Sequence, residues 1–210
     1  MKLSLFTTLF AGIFLVACQK ETISNTSSNY NYINFSINNQ NIAFNDSSKI
    51  TPDSIKALYF NGVSDSSLGG VKLYALSMVG AKQKDSSSIS LIIIGLSGIN
   101  AGSYTLIDSV TLANPLGLVQ PKFFGANYST GTTVYAPRDD MKSSGSIQLT
   151  KMDVGLNVVE GNFLQNNITL YDLYHQPISG GINMSGGVFR ARLLIINQAD
   201  FNKYRSGLPI

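Results

Sequence analysis

The chain has 210 residues, a formal charge of +3 at neutral pH and only 13% charged residues. Its basic residues are scattered rather than clustered, which argues against a nucleic-acid-binding protein. One cysteine and one histidine are too few for a zinc site, and they exclude an internal disulfide. We therefore expect a protein without a metal or another cofactor.

The N-terminal segment contains Lys2 and an apolar run, and it ends in Leu15-Val16-Ala17 directly before the only cysteine, Cys18. A positive charge, a short apolar stretch and small residues at its end indicate a secretory signal. Because a membrane-spanning helix needs about 20 apolar residues, the segment is short for a transmembrane anchor. A noncleaved signal anchor is the alternative. Leu15 to Cys18 resembles the lipobox of bacterial lipoproteins.

This resemblance implies that residues 1–17 are a signal peptide and that Cys18 carries diacylglycerol and a further acyl chain. Several acyl chains hold a protein on a membrane firmly, whereas one chain alone binds only marginally. Gln19-Lys20-Glu21 resembles the export signal of Bacteroidota lipoproteins, which implies the outer face of the outer membrane. A periplasmic-facing position is the alternative. Residues 18–30, rich in Ser, Asn and Thr, predict a flexible tether.

A hydrophobic period of two dominates residues 31–197. It is visible at Ile33 to Ile37, at Ile147 to Leu149 and at Phe189 to Leu193, and it predicts strands with one buried face. Val71–Val79 and Ile89–Leu96 carry apolar residues on both faces of a strand, which predicts central strands or strands covered on their second face by a loop or a partner.

Frequent glycine-containing turns separate these runs. Short strands with such turns predict an all-β fold, a single antiparallel β-sandwich or barrel-like domain. The pattern does not distinguish a sandwich from a closed barrel, because both give the same alternation. Helical signal is confined to Gln198–Arg205, so we expect residues 198–210 to form a tail or a short helix.

Five short motifs carry a wider resemblance. They are Asn34–Phe44, Gly102–Leu106, Gly145–Asp153, Val159–Phe163 and Ile182–Phe189. Together they resemble a family of small Bacteroidota lipoproteins of uncharacterised function. The resemblance implies a β domain on a lipid anchor, and it carries no catalytic residues over to this chain.

Catalytic motifs are sparse. A Ser-His-Asp triad would need His175, which lies in a predicted exposed loop without a Gly-x-Ser-x-Gly motif nearby. A glycosidase would need two convergent carboxyl groups. The candidate carboxylates are Asp108, Asp139, Asp140, Glu160 and Asp172. We expect that the protein is not an enzyme.

Tyrosine is the strongest indication of binding. The chain has ten tyrosines and no tryptophan, and exposed tyrosine with asparagine is common on contact surfaces. The competing interpretation is that most of these tyrosines are half-buried strand residues. A ligand platform is predicted at Tyr128, Tyr135 and Arg138. Arg138 would bind a carboxylate of the ligand, or it would instead form an ion pair with Asp139 or Asp140.

Two triplets resemble the Asp-Ser-apolar acceptor for O-glycosylation in Bacteroidota. They place candidate modification sites at Ser54 and Ser109, and glycans there would suit exposed loops.

Three functional hypotheses follow. The first is a lipid-anchored outer-membrane or cell-surface lipoprotein that binds a glycan or a protein partner without catalysis. The second is an accessory subunit of an outer-membrane complex, with Val71 to Leu96 as its interface. The third is a hydrolase. The expected partners are the membrane, through Cys18, and a glycan or envelope protein.

Overall fold

The computed structural model describes residues 30–46, 53–64, 70–82, 84–107, 120–137 and 142–205. The strands are β1 Tyr32–Ile37, β2 Gln40–Asn45, β3 Ser54–Ser64, β4 Lys72–Ala81, β5 Ser88–Gly95, β6 Gly102–Thr105, β7 Lys122–Ser129, β8 Thr133–Ala136, β9 Ser144–Asp153, β10 Val158–Asp172 and β11 Pro177–Ile196. A helix, α1, spans Gln198–Arg205, the range where we expected a turn or a short helix. The predicted all-β fold is confirmed.

The strands form one sheet in the order β2-β1-β11-β3-β4-β5-β7-β8-β10-β9-β6. An additional pairing joins β11 to β10, so the strands from β11 round to β10 close into a ring. Two flaps, each of two strands, extend from this ring. In the first, β1 pairs with β11 and β2 pairs with β1. In the second, β9 pairs with β10 and β6 pairs with β9. The architecture is therefore barrel-like, with a flap on each side of its closing pair.

The interior of the ring is filled by side chains. Alternate residues of β1, β9 and β11 belong to the same buried cluster, and among them Ile33, Ile147 and Phe189 are at most 1% exposed. A small closed sheet of this kind has just enough interior volume for its own side chains. The predicted inward faces of these strands are confirmed by their burial.

The outer face of β3, β4 and β5 is covered as well. Leu58, Phe60, Leu73 and Ile92 form a second buried cluster there, together with Phe201 of α1. The ring of Phe201 meets that of Phe60 edge to face, with centroids 6.1 Å apart. The strands that are apolar on both faces are therefore buried on both faces, as the sequence predicts.

One strand pair departs from the antiparallel pattern. β11 and β3 run parallel, with Leu193 opposite Ala57 and Ile196 opposite Phe60. Parallel neighbours need a long crossover connection, and about half of the chain lies between these two strands. The pairing therefore joins the two ends of the domain and completes the ring.

The two ends of the ring differ in what they carry. At one end, the backbone N–H of Arg192 donates to the Asn31 side chain (2.8 Å), and Arg192 pairs with Val158 at the start of β10. We call this the tether end, because residues 18–30 precede Asn31. The opposite end carries the β1–β2 turn at Asn38 and the β10–β11 turn that follows Asp172.

Candidate ligand-binding site

A surface cavity of about 480 Å³ opens between the β1–β2 hairpin and the β7–β8 hairpin. Its walls are aromatic, aliphatic, amide and hydroxyl side chains. The lining residues are Ile37, Asn38, Gln40, Asn41, Ile42, Tyr128, Thr130 and Tyr135. None of these residues is charged, so the cavity suits a neutral ligand with both apolar and hydrogen-bonding surface.

One wall is the tight turn of the β1–β2 hairpin. Ile37 pairs with Gln40, which leaves Asn38 and Asn39 as a two-residue connection with φ of 51° and 62°. Turns of this type need positive φ at both central positions, and asparagine tolerates it. The side chains of Asn38, Gln40 and Asn41 are exposed, so their amides face the cavity opening as donors and acceptors.

The opposite wall is a pair of tyrosines. Tyr128 of β7 and Tyr135 of β8 are direct cross-strand neighbours. Their rings stack, with centroids 5.8 Å apart and an interplanar angle of 25°. Both side chains are half-buried, so part of each ring remains available to a ligand.

The core fixes the position of Tyr128 from behind. The ring of Phe35 meets it edge to face at 5.4 Å, and the ring of Phe44 does so at 6.4 Å. Such edge-to-face pairs add about 0.5–1.5 kcal/mol beyond the burial of their area. The tyrosine wall therefore packs directly against the buried interior.

The hydroxyl of Tyr128 is near the turn between β4 and β5. Burial raises the pKa of Tyr128, and the nearby Asp85 charge raises it further, while a hydrogen bond with Ser87 acts in the opposite direction. The Ser87 hydroxyl donates to Asp85 Oδ1 at 2.5 Å, and the Ser87 N–H donates to the same oxygen at 3.0 Å. These bonds from Ser87 lower the pKa of Asp85. Tyr128 is therefore a neutral phenol at physiological pH.

The structure brings together two of the three predicted platform residues. Tyr128 and Tyr135 are in contact and line the cavity, whereas Arg138 lies outside the described residues, as do Cys18 and Ser109. Ser54 is the first residue of β3, pairs with Ala81 and is half-buried. Its position is the start of a strand rather than an exposed loop.

The amide side chains that form the other wall of the cavity are not among the predicted site residues. The sequence contains four consecutive amide residues, Asn38-Asn39-Gln40-Asn41, between Ile37 and Ile42. This run was the signal that could have indicated a polar binding surface. What the sequence does not show is that this turn lies opposite Tyr128, about ninety positions along the chain. Only the closure of the sheet brings the two together.

The carboxylates considered for hydrolysis do not converge where the structure describes them. Glu160 forms an ion pair with Arg190 near the start of β10. Asp172, at the other end of that strand, accepts the backbone N–H groups of Tyr174 and Gln176 within its own turn. Asp108, Asp139 and Asp140 lie outside the described residues. The single histidine, His175, is exposed and stacks on Tyr171 at 4.4 Å.

Within the described ranges, no group of three or more His, Cys, Asp or Glu side chains is arranged to hold a metal ion. In the same part of the chain, no helix has the length and apolar character to cross a membrane. No protein-family model matches the chain, and neither a curated protein nor a solved structure matches it.

Proposed function

We propose that the protein is a lipid-anchored, non-catalytic surface protein that binds a neutral glycan in the cavity between Tyr128, Tyr135 and the β1–β2 turn. The observation that carries this proposal is the combination of a stacked tyrosine pair with an uncharged, amide-rich wall across one cavity.

The chemistry of the two walls fits a sugar ring. A pyranose has an apolar C–H face, which covers an aromatic ring well, and a rim of hydroxyl groups. The exposed amides of Asn38 and Gln40 offer both donors and an acceptor to those hydroxyls, and Asn41 offers its amide N–H groups while its Oδ1 accepts the Ser36 hydroxyl at 2.6 Å. A volume of about 480 Å³ lies within the ordinary range for small-ligand sites, about 300–1,000 Å³.

The position of the cavity agrees with a surface-anchored binding protein. β1 begins next to the tether end and finishes at Ile37, which lines the cavity. The cavity is therefore separated from the point where the tether joins by the length of β1, about 20 Å at 3.3 Å per residue. A domain held through Cys18 would present this cavity away from its anchor.

The membrane attachment itself is proposed from the sequence. Lys2, the apolar run and the small residues before Cys18 support cleavage and lipidation at that cysteine. Gln19-Lys20-Glu21 supports export to the outer membrane. Release of the protein by a Cys18→Ser change, measured by membrane fractionation, would test the anchor separately from the cavity.

An accessory role in an envelope complex is the second candidate. The apolar strands between Val71 and Leu96 are largely buried within the chain, so an interface would lie elsewhere. The β10–β11 turn and the start of β11 are favoured by their exposure: Leu173 is 64%, Tyr174 85% and Ile178 56% exposed. Exposed apolar groups of this kind are typical of protein contact sites.

The experiment compares three forms of the full chain in detergent on an array of neutral and acidic oligosaccharides. The forms are the wild type, Tyr135→Ala in the cavity and Tyr174→Ala at the β10–β11 turn. We expect saturable binding to neutral glycans that Tyr135→Ala loses and Tyr174→Ala keeps. Absence of glycan binding, with an envelope protein captured by the wild type and lost with Tyr174→Ala, would favour the accessory role instead.

A further inference from the structure

The turn between β9 and β10 presents apolar side chains at the tether end. Leu156 is 70% exposed and Val154 43% exposed. The backbone N–H of Leu156 donates to Asp153 Oδ1 at 2.8 Å, and Asn157 adopts a positive φ of 54°. The Val154–Asn157 turn is therefore held in a defined shape while its apolar side chains remain in contact with solvent.

The chain that leads to Cys18 joins the domain close to this turn. Val158, directly after the turn, pairs with Arg192, whose N–H donates to the Asn31 side chain. Cys18 is 12 positions before Tyr30, a stretch that spans at most about 40 Å when fully extended. A lipid anchor at Cys18 would thus keep the tether end within reach of the membrane surface.

The surroundings of the turn also suit a lipid surface. Arg192 is exposed beside it, Tyr30 is 53% exposed, and Lys151 is half-buried on the adjoining strand. The neighbouring acid Glu160 is paired with Arg190. The carboxylates of Asp153 and Asp46 also lie at this end, where they accept the backbone N–H groups of Leu156 and Asn31. Tyrosine is enriched at membrane–water interfaces, and basic residues are attracted to anionic headgroups.

We propose that the Val154–Asn157 turn inserts its apolar side chains into the headgroup region of the bilayer that holds the anchor. The contact rests on the proposed lipidation of Cys18, and it deepens that proposal by fixing an orientation. The tether end then faces the lipid, and the cavity at Tyr128 and Tyr135 faces outward. The anchor and the turn act as two membrane contacts: the acyl chains hold the protein on the bilayer, and the turn fixes the orientation of the domain.

The absence of tryptophan from the chain permits a site-specific test. Leu156→Trp places one fluorophore in the turn. Leu173→Trp is its matched control, because Leu173 is 64% exposed, also lies in a hairpin turn and follows β10 at its other end. Each lipidated full-chain variant is reconstituted into vesicles of phosphatidylethanolamine and phosphatidylglycerol, with and without brominated acyl chains, which quench tryptophan on contact.

We expect the emission of Leu156→Trp to shift to shorter wavelength in vesicles and to be quenched several-fold by brominated lipid. We expect the emission of Leu173→Trp to stay at the wavelength of a solvent-exposed tryptophan and to be the same with and without brominated lipid. Equal quenching of both variants, quenching of Leu173→Trp alone or quenching of neither would overturn the proposed contact. Flotation of the same vesicles reports on the anchor independently. Protein that floats without quenching at position 156 contradicts the turn contact only, whereas protein that does not float contradicts the anchor and the contact together.

Discussion

Tyr128 and Tyr135 lie opposite each other across the β7–β8 hairpin, with ring centroids 5.8 Å apart. Their stack connects the packed interior to the cavity, because Phe35 supports Tyr128 from the core while Tyr135 borders the opening. Two residues that are only seven positions apart in the sequence thus form one wall of the proposed glycan site.

Tyr135→Ala should weaken glycan binding. Removing a central aromatic side chain from a binding surface costs about 2 kcal/mol, which is about 30-fold in Kd. Isothermal titration with an array-selected neutral oligosaccharide measures this change. Tyr174→Ala, which removes an 85% exposed tyrosine elsewhere, should bind as the wild type does. Equal affinity of all three forms would exclude Tyr135 from the site.

Asp85→Asn should change how stability depends on pH. Hydrogen bonds from Ser87 lower the pKa of Asp85 below its usual 3.8 in the folded state. The carboxylate therefore stabilises the fold above the unfolded-state pKa, and this stabilisation is lost as the pH falls through the lower folded-state pKa. Wild type should exceed the variant in unfolding free energy above about pH 4, and the difference should shrink on acidification.

The control for this prediction is Ser87→Ala, which keeps the Asp85 charge and removes its hydroxyl donor. Denaturant titrations at several pH values should show a smaller acid-dependent loss in Ser87→Ala than in the wild type. A wild-type minus Asp85→Asn difference that is constant from pH 7 to about pH 3, a range that brackets the ordinary carboxyl pKa, would contradict the role given to these hydrogen bonds.

Gly161→Ala should destabilise the domain strongly. A Cβ at position 161 would collide with the backbone carbonyl of Gln148 and with the Phe189 ring, where β10 lies between β9 and β11. Overpacking against backbone cannot relax easily, so we expect a loss of about 3 kcal/mol or more. Gly98→Ala is the matched control, since no atom lies within 4 Å of its Cβ position. Similar melting temperatures for the two variants would refute the close approach.

Phe201→Ala should loosen the helix that covers the outer face of the sheet. The Phe201 side chain is 2% exposed and packs with Phe60 and the second apolar cluster. Truncating a buried phenylalanine typically costs about 3–5 kcal/mol. Thermal unfolding measures the loss, and binding of a hydrophobic dye should rise as the outer face becomes accessible. Lys203→Ala, an exposed position on the same helix, should leave both measurements unchanged.

The strands were predictable because their signal is local. Ile33, Phe35 and Ile37 alternate with polar residues, and all three are at most 3% exposed. The strands around Leu76 and Ile93 have apolar residues on both faces, and both of their faces are buried. The order of apolar and polar residues along a strand indicates whether one or both of its faces are buried, so this burial can be predicted from the sequence.

The closed ring and the complete cavity were not predictable, because they depend on contacts between distant segments. The parallel pairing of Leu193 with Ala57 leaves no mark in the alternation of either strand. Tyr128 and Tyr135 were predicted as platform residues because exposed tyrosine is common on contact surfaces. Their partners Asn38 and Gln40 were not, since nothing in a local turn pattern indicates which strand the turn will face.

The most direct test of the glycan site is an amide NMR titration of the isotope-labelled full chain in detergent with an array-selected neutral oligosaccharide. We predict that chemical-shift changes concentrate on the side-chain amides of Asn38, Gln40 and Asn41 and on the backbone around Tyr128 and Tyr135. Changes centred on the β10–β11 turn around Leu173, with the cavity residues unaffected, would contradict it.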